Sequence, residues 1–279
     1  MIHTKDLYFK YPGAAQNTVN GISFDVGAGE IFGLLGPSGS GKSTTQKVLF
    51  KLLSGYQGSA QIKGKEITDW GKELYSQIGV GFELPNHYLK LTALENLAFF
   101  QSFYDEGLDP MKLLKMVGLE KDADKKVGEF SKGMKMRLNF VRSFAHNPEI
   151  LFLDEPTSGL DPSNSRILKD IILDLKNQGK TILITTHHME DAEELCDQVA
   201  FLSEGEIKKL DSPENLKLEY GKRTLEVRTY GSSEPIIFDL DQLKEDKSFL
   251  ELVQSGEIKT IHSKEANLND IFIATTAKK

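Results

Sequence analysis

The chain has 279 residues, a formal net charge of −7 and 39% hydrophobic residues. That length exceeds one compact core and predicts a large domain with a small appendage. The acidic balance and the absence of a long basic run argue against a nucleic-acid surface, and no run reaches the roughly 18 apolar residues of a bilayer-spanning helix. Met1-Ile2-His3-Thr4-Lys5-Asp6 lacks the charged and apolar regions of a signal peptide, so a cytosolic location is expected. The single cysteine, Cys196, falls on one helix face with Met189, Ala192, Leu195 and Val199, which predicts buried packing rather than redox chemistry.

In chain order, Leu7 and Phe9, then Ile22, Phe24 and Val26, alternate as antiparallel strands around a turn at Tyr11-Pro12-Gly13. The apolar run Ile31–Leu35 reads as a buried strand. Gly36, Pro37, Ser38, Gly39, Ser40, Gly41, Lys42, Ser43 and Thr44 follow, in the pattern G-x-x-x-x-G-K-[ST]. Such a loop turns its backbone N–H groups onto an anion; Lys42 is aimed at terminal phosphates, and the Ser43 hydroxyl can ligate Mg²⁺. Residues 42–53 read as the helix that completes a phosphate site. Residues 59–63 and 78–82 read as strands. A mainly helical stretch spans 84–129, with a capping box at Thr92-Ala93-Leu94-Glu95 and a second helix over 111–117.

Strand and helix then alternate: 150–153, 162–177, 181–185, 189–196 and 199–203. Alternation of this kind predicts a parallel sheet covered by helices. Asp161 followed by Pro162 is a helix start. The first of these strands ends in Asp154 and Glu155. Asp154 suits Mg²⁺ coordination, and Glu155 stands where it can act on a water attacking a γ-phosphate. Beyond residue 220, strands at 224–229 and 235–238 joined by Gly231-Ser232-Ser233, a third over 257–262 and a closing helix over 267–274 are expected.

Phe130-Ser131-Lys132-Gly133-Met134, placed upstream of the Asp154–Glu155 strand, brings the chain close to a known family. It resembles the ATP-binding subunits of ATP-binding-cassette (ABC) transporters, especially single-cassette subunits of export systems. The family signature is Leu-Ser-Gly-Gly-Gln at a helix N-terminus. Ser131 and Gly133 match it, while Phe130, Lys132 and Met134 depart from it. The resemblance covers residues 1 to about 215. It assigns Ser158-Gly159-Leu160-Asp161 to a loop at the dimer interface, and His187, rather than His188, to a γ-phosphate contact. It aligns Glu83 with a glutamine that serves Mg²⁺ and the attacking water, and Tyr11 with an aromatic that stacks on adenine.

The fold implied is an α/β P-loop NTPase of the ABC cassette type. A mostly parallel sheet core carries an antiparallel β subdomain and a helical subdomain over 84–129. The cassette occupies 1–219 and a small α+β appendage 220–279. The resemblance implies an ATPase that uses ATP and Mg²⁺ and powers transport, with export favoured, through a separate membrane permease. Its catalytic residues are Glu155, His187 and Lys42, and its metal ligands Ser43, Asp154 and Glu83. ATP is sandwiched between two cassettes, in a homodimer or with a related subunit, so Ser131, Gly133 and Asp161 complete the partner's site. The chain is then peripheral on the inner face of the membrane, and no nucleic-acid partner is expected. Aromatics Tyr88, Phe99, Phe100, Phe103 and Tyr104 are candidates for a permease groove, although a helix must bury something and most of them read as core; Tyr88, outside the capped helix, is the best surface candidate. The alternative is a soluble, non-transport ABC ATPase acting on ribosomes or DNA. The single cassette, the lack of a sustained heptad run and the −7 charge speak against it. A P-loop metabolic kinase leaves the Ser131–Gly133 segment unexplained, and a degenerate scaffold does not fit an intact Lys42, Asp154, Glu155 and His187.

Overall fold

The computed structural model describes residues 1–220, 224–232, 234–264 and 266–276. The chain divides into two compact units, Met1–Asp211 and Ser212–Lys279.

In the first unit, β1 (Ile2–Phe9), β2 (Val19–Val26), β4 (Gln57–Ile62) and β5 (Lys65–Glu66) form an antiparallel sheet in the order β2-β1-β4-β5. Alternating burial along β1 and β2 matches the alternating sequence, with one apolar face turned inward. The second sheet holds β3 (Ile31–Leu35), β6 (Ile78–Gly81), β7 (Ile150–Asp154), β8 (Thr181–Thr186), β9 (Gln198–Ser203) and β10 (Glu206–Asp211). Its order is β10-β9-β3-β8-β7-β6. All its pairings are parallel except that of the edge strand β10 with β9. Every residue of β3 and β8 is buried, as expected of central strands covered on both faces. One buried apolar cluster draws on both sheets, and Phe24 of β2 stacks on Phe32 of β3 with centroids 4.9 Å apart.

The helices are α1 (Lys42–Leu49), α2 (Leu74–Gln77), α3 (Ala93–Gln101), α4 (Pro110–Met116), α5 (Lys132–Ser143), α6 (Pro162–Asn177) and α7 (Met189–Leu195). Helix α3 carries the expected capping box: Thr92 accepts the Glu95 N–H, and Glu95 accepts the Thr92 N–H. Helix α1 stops at Leu49, four residues before the expected end at 53. Lys51 takes a left-handed conformation (φ 60°), and the N–H groups of Leu52 and Leu53 both return to the Lys47 carbonyl. Leu52, beyond the helix end, is 60% exposed. Cys196 is buried behind β3, where burial pushes its thiol pKa up. A Cβ at Gly33 would lie 2.8 Å from its sulfur, which accounts for a glycine in a central strand.

The second unit contains α8 (Pro213–Tyr220), β11 (Thr224–Thr229), β12 (Ile236–Asp239), α9 (Lys247–Ser255), β13 (Ile258–Lys264) and α10 (Leu268–Thr276). Its three strands are antiparallel in the order β12-β11-β13, over a small core of Leu225, Val227 and Phe238. Ser233, at the expected turn between β11 and β12, lies outside the described residues. The unit begins at Ser212 rather than 220, because α8 packs against α10.

Candidate nucleotide site

Parallel register places the ends of β3, β7 and β8 at one level, with Leu35 opposite Thr186 and Asp154 opposite Thr185. Ligand sites of open α/β sheets form at this carboxyl edge. The loop after β3 wraps back on itself. The Lys42 ammonium donates to the carbonyls of Gly36 (2.7 Å) and Pro37 (3.0 Å). Gly41, the residue before α1, has φ 109°, and a Cβ there would lie 2.6 Å from the Thr18 carbonyl; only glycine suits this position. The Ser40 hydroxyl is buried without a hydrogen-bond partner among the described residues. An orphaned hydroxyl inside a loop of this shape fits a phosphate oxygen as its missing partner.

Lys42 is 7% exposed. Burial lowers its pKa, opposed in turn by the charges of Glu155, Asp154 and Glu83. These three carboxylates thus offset part of the effect of burial on the ammonium. Asp154 Oδ1 accepts the Ser43 hydroxyl at 3.1 Å and also the Thr185 hydroxyl. A serine hydroxyl converging with a carboxylate supplies hard oxygen donors, which fits Mg²⁺.

Glu155 takes φ 50°, an uncommon conformation for a non-glycine residue. The bend lets its N–H donate to the Thr185 carbonyl (2.8 Å). Its carboxylate points at the end of β8. Oε2 accepts the Thr186 hydroxyl at 3.1 Å, and Oε1 lies 2.8 Å from His187 Nδ1. Glu155 is 7% exposed. Strain at a buried carboxylate marks a position held by its surroundings. His187 therefore shares the site with Glu155. The neighbouring His188 ring is tilted on the His187 ring, centroids 4.1 Å apart, and makes no hydrogen bond among the described residues.

The other expected residues take varied places. The Tyr11 hydroxyl lies 3.4 Å from Thr44 Oγ1, with its ring edge-on to Phe9, so the aromatic stands beside the start of α1. Pro37, Ser38 and Gly39 complete the loop, and a Cβ at Gly39 would meet nothing. Glu83 is exposed and acts on Lys42 by charge, but makes no hydrogen bond to Ser43 or Asp154. Ser131 caps α5 by accepting the Met134 N–H at 3.2 Å. Gly133 faces Leu160, and Lys132 reaches over Gly159, so the two segments adjoin. Asp161 caps α6, and the Asn164 backbone N–H holds its pKa below the usual carboxylate range.

Two residues enter that sequence reading did not name. Gln46, 1% exposed, donates from Nε2 to the carbonyls of Leu153 (3.3 Å) and Leu183 (3.2 Å), pinning α1 to β7 and β8. A polar residue on the same side of α1 as Leu49 was the available signal. Thr157, two residues past Glu155, donates to Asp191 Oδ2 at 2.6 Å, and Asp191 in turn pairs with Lys169 at 3.3 Å. The acidic run around Asp191 reads as a solvated face and hides that role.

A separate groove of ≈ 660 Å³ lies between β6 and α3, lined by Phe50, Tyr75, Phe100, Phe103, Tyr104 and Arg142 among others. Tyr88 and Phe99 are not in its lining. Tyr88 is 51% exposed, but its ring packs on Phe99 and Phe100.

The model of the family described as ABC transporter matches residues 19–158. A fluoroquinolones export ATP-binding protein of Mycobacterium tuberculosis is 52% identical over 282 residues, covering 100% of this chain and 94% of its own. A Nod factor export ATP-binding protein I of Burkholderia thailandensis is 34% identical, covering 93% of this chain and 92% of its own. Among solved structures, an ATP-binding subunit of an ABC transporter superposes with TM-score 0.72 at 30% identity, covering 79% of this chain and 93% of its own. A dimeric ATP-binding cassette in a post-hydrolysis state with ADP and Pi superposes with TM-score 0.70 at 27% identity, covering 76% of this chain and 98% of its own. The chain belongs to the ABC transporter family, as an ATP-binding subunit that hydrolyses ATP to power export.

Proposed function

We propose that the site at the carboxyl edge of the β3-β8-β7 sheet is half of an ATP site that a second cassette completes, and that hydrolysis there drives a separate permease. The observation that carries this reading is the convergence of Lys42, Ser43, Asp154, Glu155 and His187 on one edge. Gly36, Pro37, Ser38, Gly39, Ser40, Gly41 and Thr44 form the phosphate cradle, and Tyr11 offers its ring to the adenine. Ser43 and Asp154 hold Mg²⁺, with Glu83 as a more distant carboxylate. When bound, the metal neutralises phosphate charge.

Glu155 orients and deprotonates the attacking water, and its paired His187 contacts the γ-phosphate. Lys42 leaves its loop carbonyls for phosphate oxygens. Ser131, Gly133 and Asp161 lie on adjoining exposed segments and complete the site of the partner cassette. The dimeric form of a structural neighbour supports that arrangement. Phosphate contacts shared across the interface make ATP the bond between cassettes, and phosphate loss opens them.

Among the described residues no helix is long and apolar enough to cross a membrane; in this reading the permease holds the chain at the membrane. The groove beside α3 receives one of its cytoplasmic helices: apolar rings line it, and Arg142 sets a charge among them. Identity of 52% to a fluoroquinolones export subunit across nearly the whole of both chains favours cargo of that type. The test is purification of the chain from membranes, identification of the co-purifying membrane protein, and drug accumulation in cells expressing both. ATP-dependent loss of fluoroquinolone is expected. Co-purification with ribosomes or DNA instead would overturn the reading.

A further inference from the structure

We propose that Glu155, His187 and His188 form an inhibitory site for a borderline divalent transition metal, with Zn²⁺ the natural probe. Each residue offers one ligand atom, and these atoms all lie within 4.8 Å of one another. Tetrahedral Zn²⁺, with bonds of about 2.0–2.1 Å, needs ligand atoms roughly 3.3 Å apart. Glu155 Oε1 and His187 Nδ1 are already 2.8 Å apart. The anchor is rigid, since the Glu155 side chain is 9% exposed, whereas that of His187 is 49% exposed and can swing. The His188 ring sits against His187 with no hydrogen bond among the described residues to give up.

The donor set is two imidazole nitrogens and one carboxylate oxygen. That set suits zinc, nickel or copper far better than Mg²⁺, which takes oxygen ligands. It is also distinct from the hydroxyl and carboxylate oxygens of Ser43 and Asp154. With three protein ligands it keeps an open position for water. A metal held there occupies both Glu155 Oε1 and His187 Nδ1, removing the base and locking the histidine. His188, which has no part in the hydrolytic machinery, is what turns a carboxylate–histidine pair into a chelating site. The inhibitory consequence rests on the roles proposed above for Glu155 and His187; metal uptake does not.

The experiment uses full-length, tag-free protein and H188Q. Zinc uptake by nucleotide-free protein is measured by competition with a chromophoric chelator, and Mg²⁺-dependent ATP turnover is titrated with Zn²⁺. Wild type should bind one zinc per chain. H188Q should turn over ATP as wild type does, while its zinc affinity and zinc sensitivity both fall at least about tenfold. Equal zinc affinity of the two proteins, or no stoichiometric uptake by wild type, overturns the site. Uptake that depends on His188 without any effect on turnover removes the inhibitory part. If neither protein turns over ATP but His188-dependent uptake persists, the hydrolytic reading fails and the metal site stands.

Discussion

Glu155→Gln separates what this residue does for the fold from what it does for catalysis. The carboxylate accepts the Thr186 hydroxyl on one oxygen and faces His187 with the other. An amide keeps one acceptor and the same shape. With its oxygen left on Thr186, it forfeits only the contact to a largely exposed histidine, about 0.5–1.5 kcal/mol. The positive φ of Glu155 is unaffected, because glutamine meets the same steric limits as glutamate. Folding should therefore lose about 1 kcal/mol, a shift of a few degrees in Tm. Catalysis should lose far more. A general base contributes about 10²–10⁴-fold, which corresponds to about 2.7–5.5 kcal/mol on the barrier. Steady-state phosphate release at saturating ATP, with thermal denaturation and nucleotide binding on the same preparation, reads the three quantities apart. The expected variant binds ATP, melts near the wild type, hydrolyses slowly and accumulates as a dimer. Turnover within about threefold of wild type, well short of the general-base range, would refute the assignment. A large fall in Tm would instead make Glu155 a structural pivot at the end of β7.

Three further outcomes follow from other parts of the first unit. Glu83→Gln should leave ATP binding intact and raise the Mg²⁺ concentration needed for half-maximal hydrolysis, because an amide attracts the cation less than a carboxylate; an unchanged Mg²⁺ titration would place Glu83 outside the metal's reach. His87 has its pKa lowered to about 4, chiefly by burial, against the hydrogen bond to the Lys135 carbonyl and with the help of the Arg142 and Lys135 charges. The unfolded chain takes up this proton near pH 6.5 and the folded chain only near 4, so stability is full above 6.5 and is lost as pH falls. About 2 kcal/mol should go between roughly pH 7 and pH 5, and the urea midpoint of His87→Gln should fall less over that interval; parallel pH slopes would contradict this. Thr92→Ala should cost about 1 kcal/mol in urea unfolding by removing the cap of α3, and no measurable change would mean that tertiary packing alone holds that helix.

Legibility in the sequence followed locality. The turn of Gly36 to Thr44, the capping box at Thr92 and the helix start at Asp161–Pro162 are chemistry within a few residues, and each stands where its pattern placed it. Central strands were legible because burial on both faces forces unbroken apolar runs. Strand β10 is not legible in the sequence, because it is an edge strand whose exposed side carries charge, with Glu206 and Lys208 paired to each other. Helix α9 is also hidden in the sequence, although Asp246 caps it and Gly256 ends it in the left-handed conformation. Its neighbours in sequence are short strands, and their weak alternation masks the helical spacing of Phe249, Leu252 and Val253.

The site itself needed contacts that no local pattern carries. The place of Asp154 and Glu155 at a strand end leads one to expect a metal ligand and a base, but the pairing of Glu155 with His187 depends on β7 and β8 being neighbours. Strand order is a property of the whole chain, and spacing along the sequence does not encode it. The same holds for Gln46 and Asp191, whose partners are distant backbone carbonyls and a threonine on another loop. Both tether the elements that bear the proposed reacting groups and are not among those groups themselves. Replacing either should therefore alter the geometry at Ser43 or Glu155 while leaving every expected functional residue in place. The sequence names the groups expected to meet phosphate; the polar contacts beneath them, between α1 and the strands and between α7 and the loop after β7, tie together the elements that carry those groups.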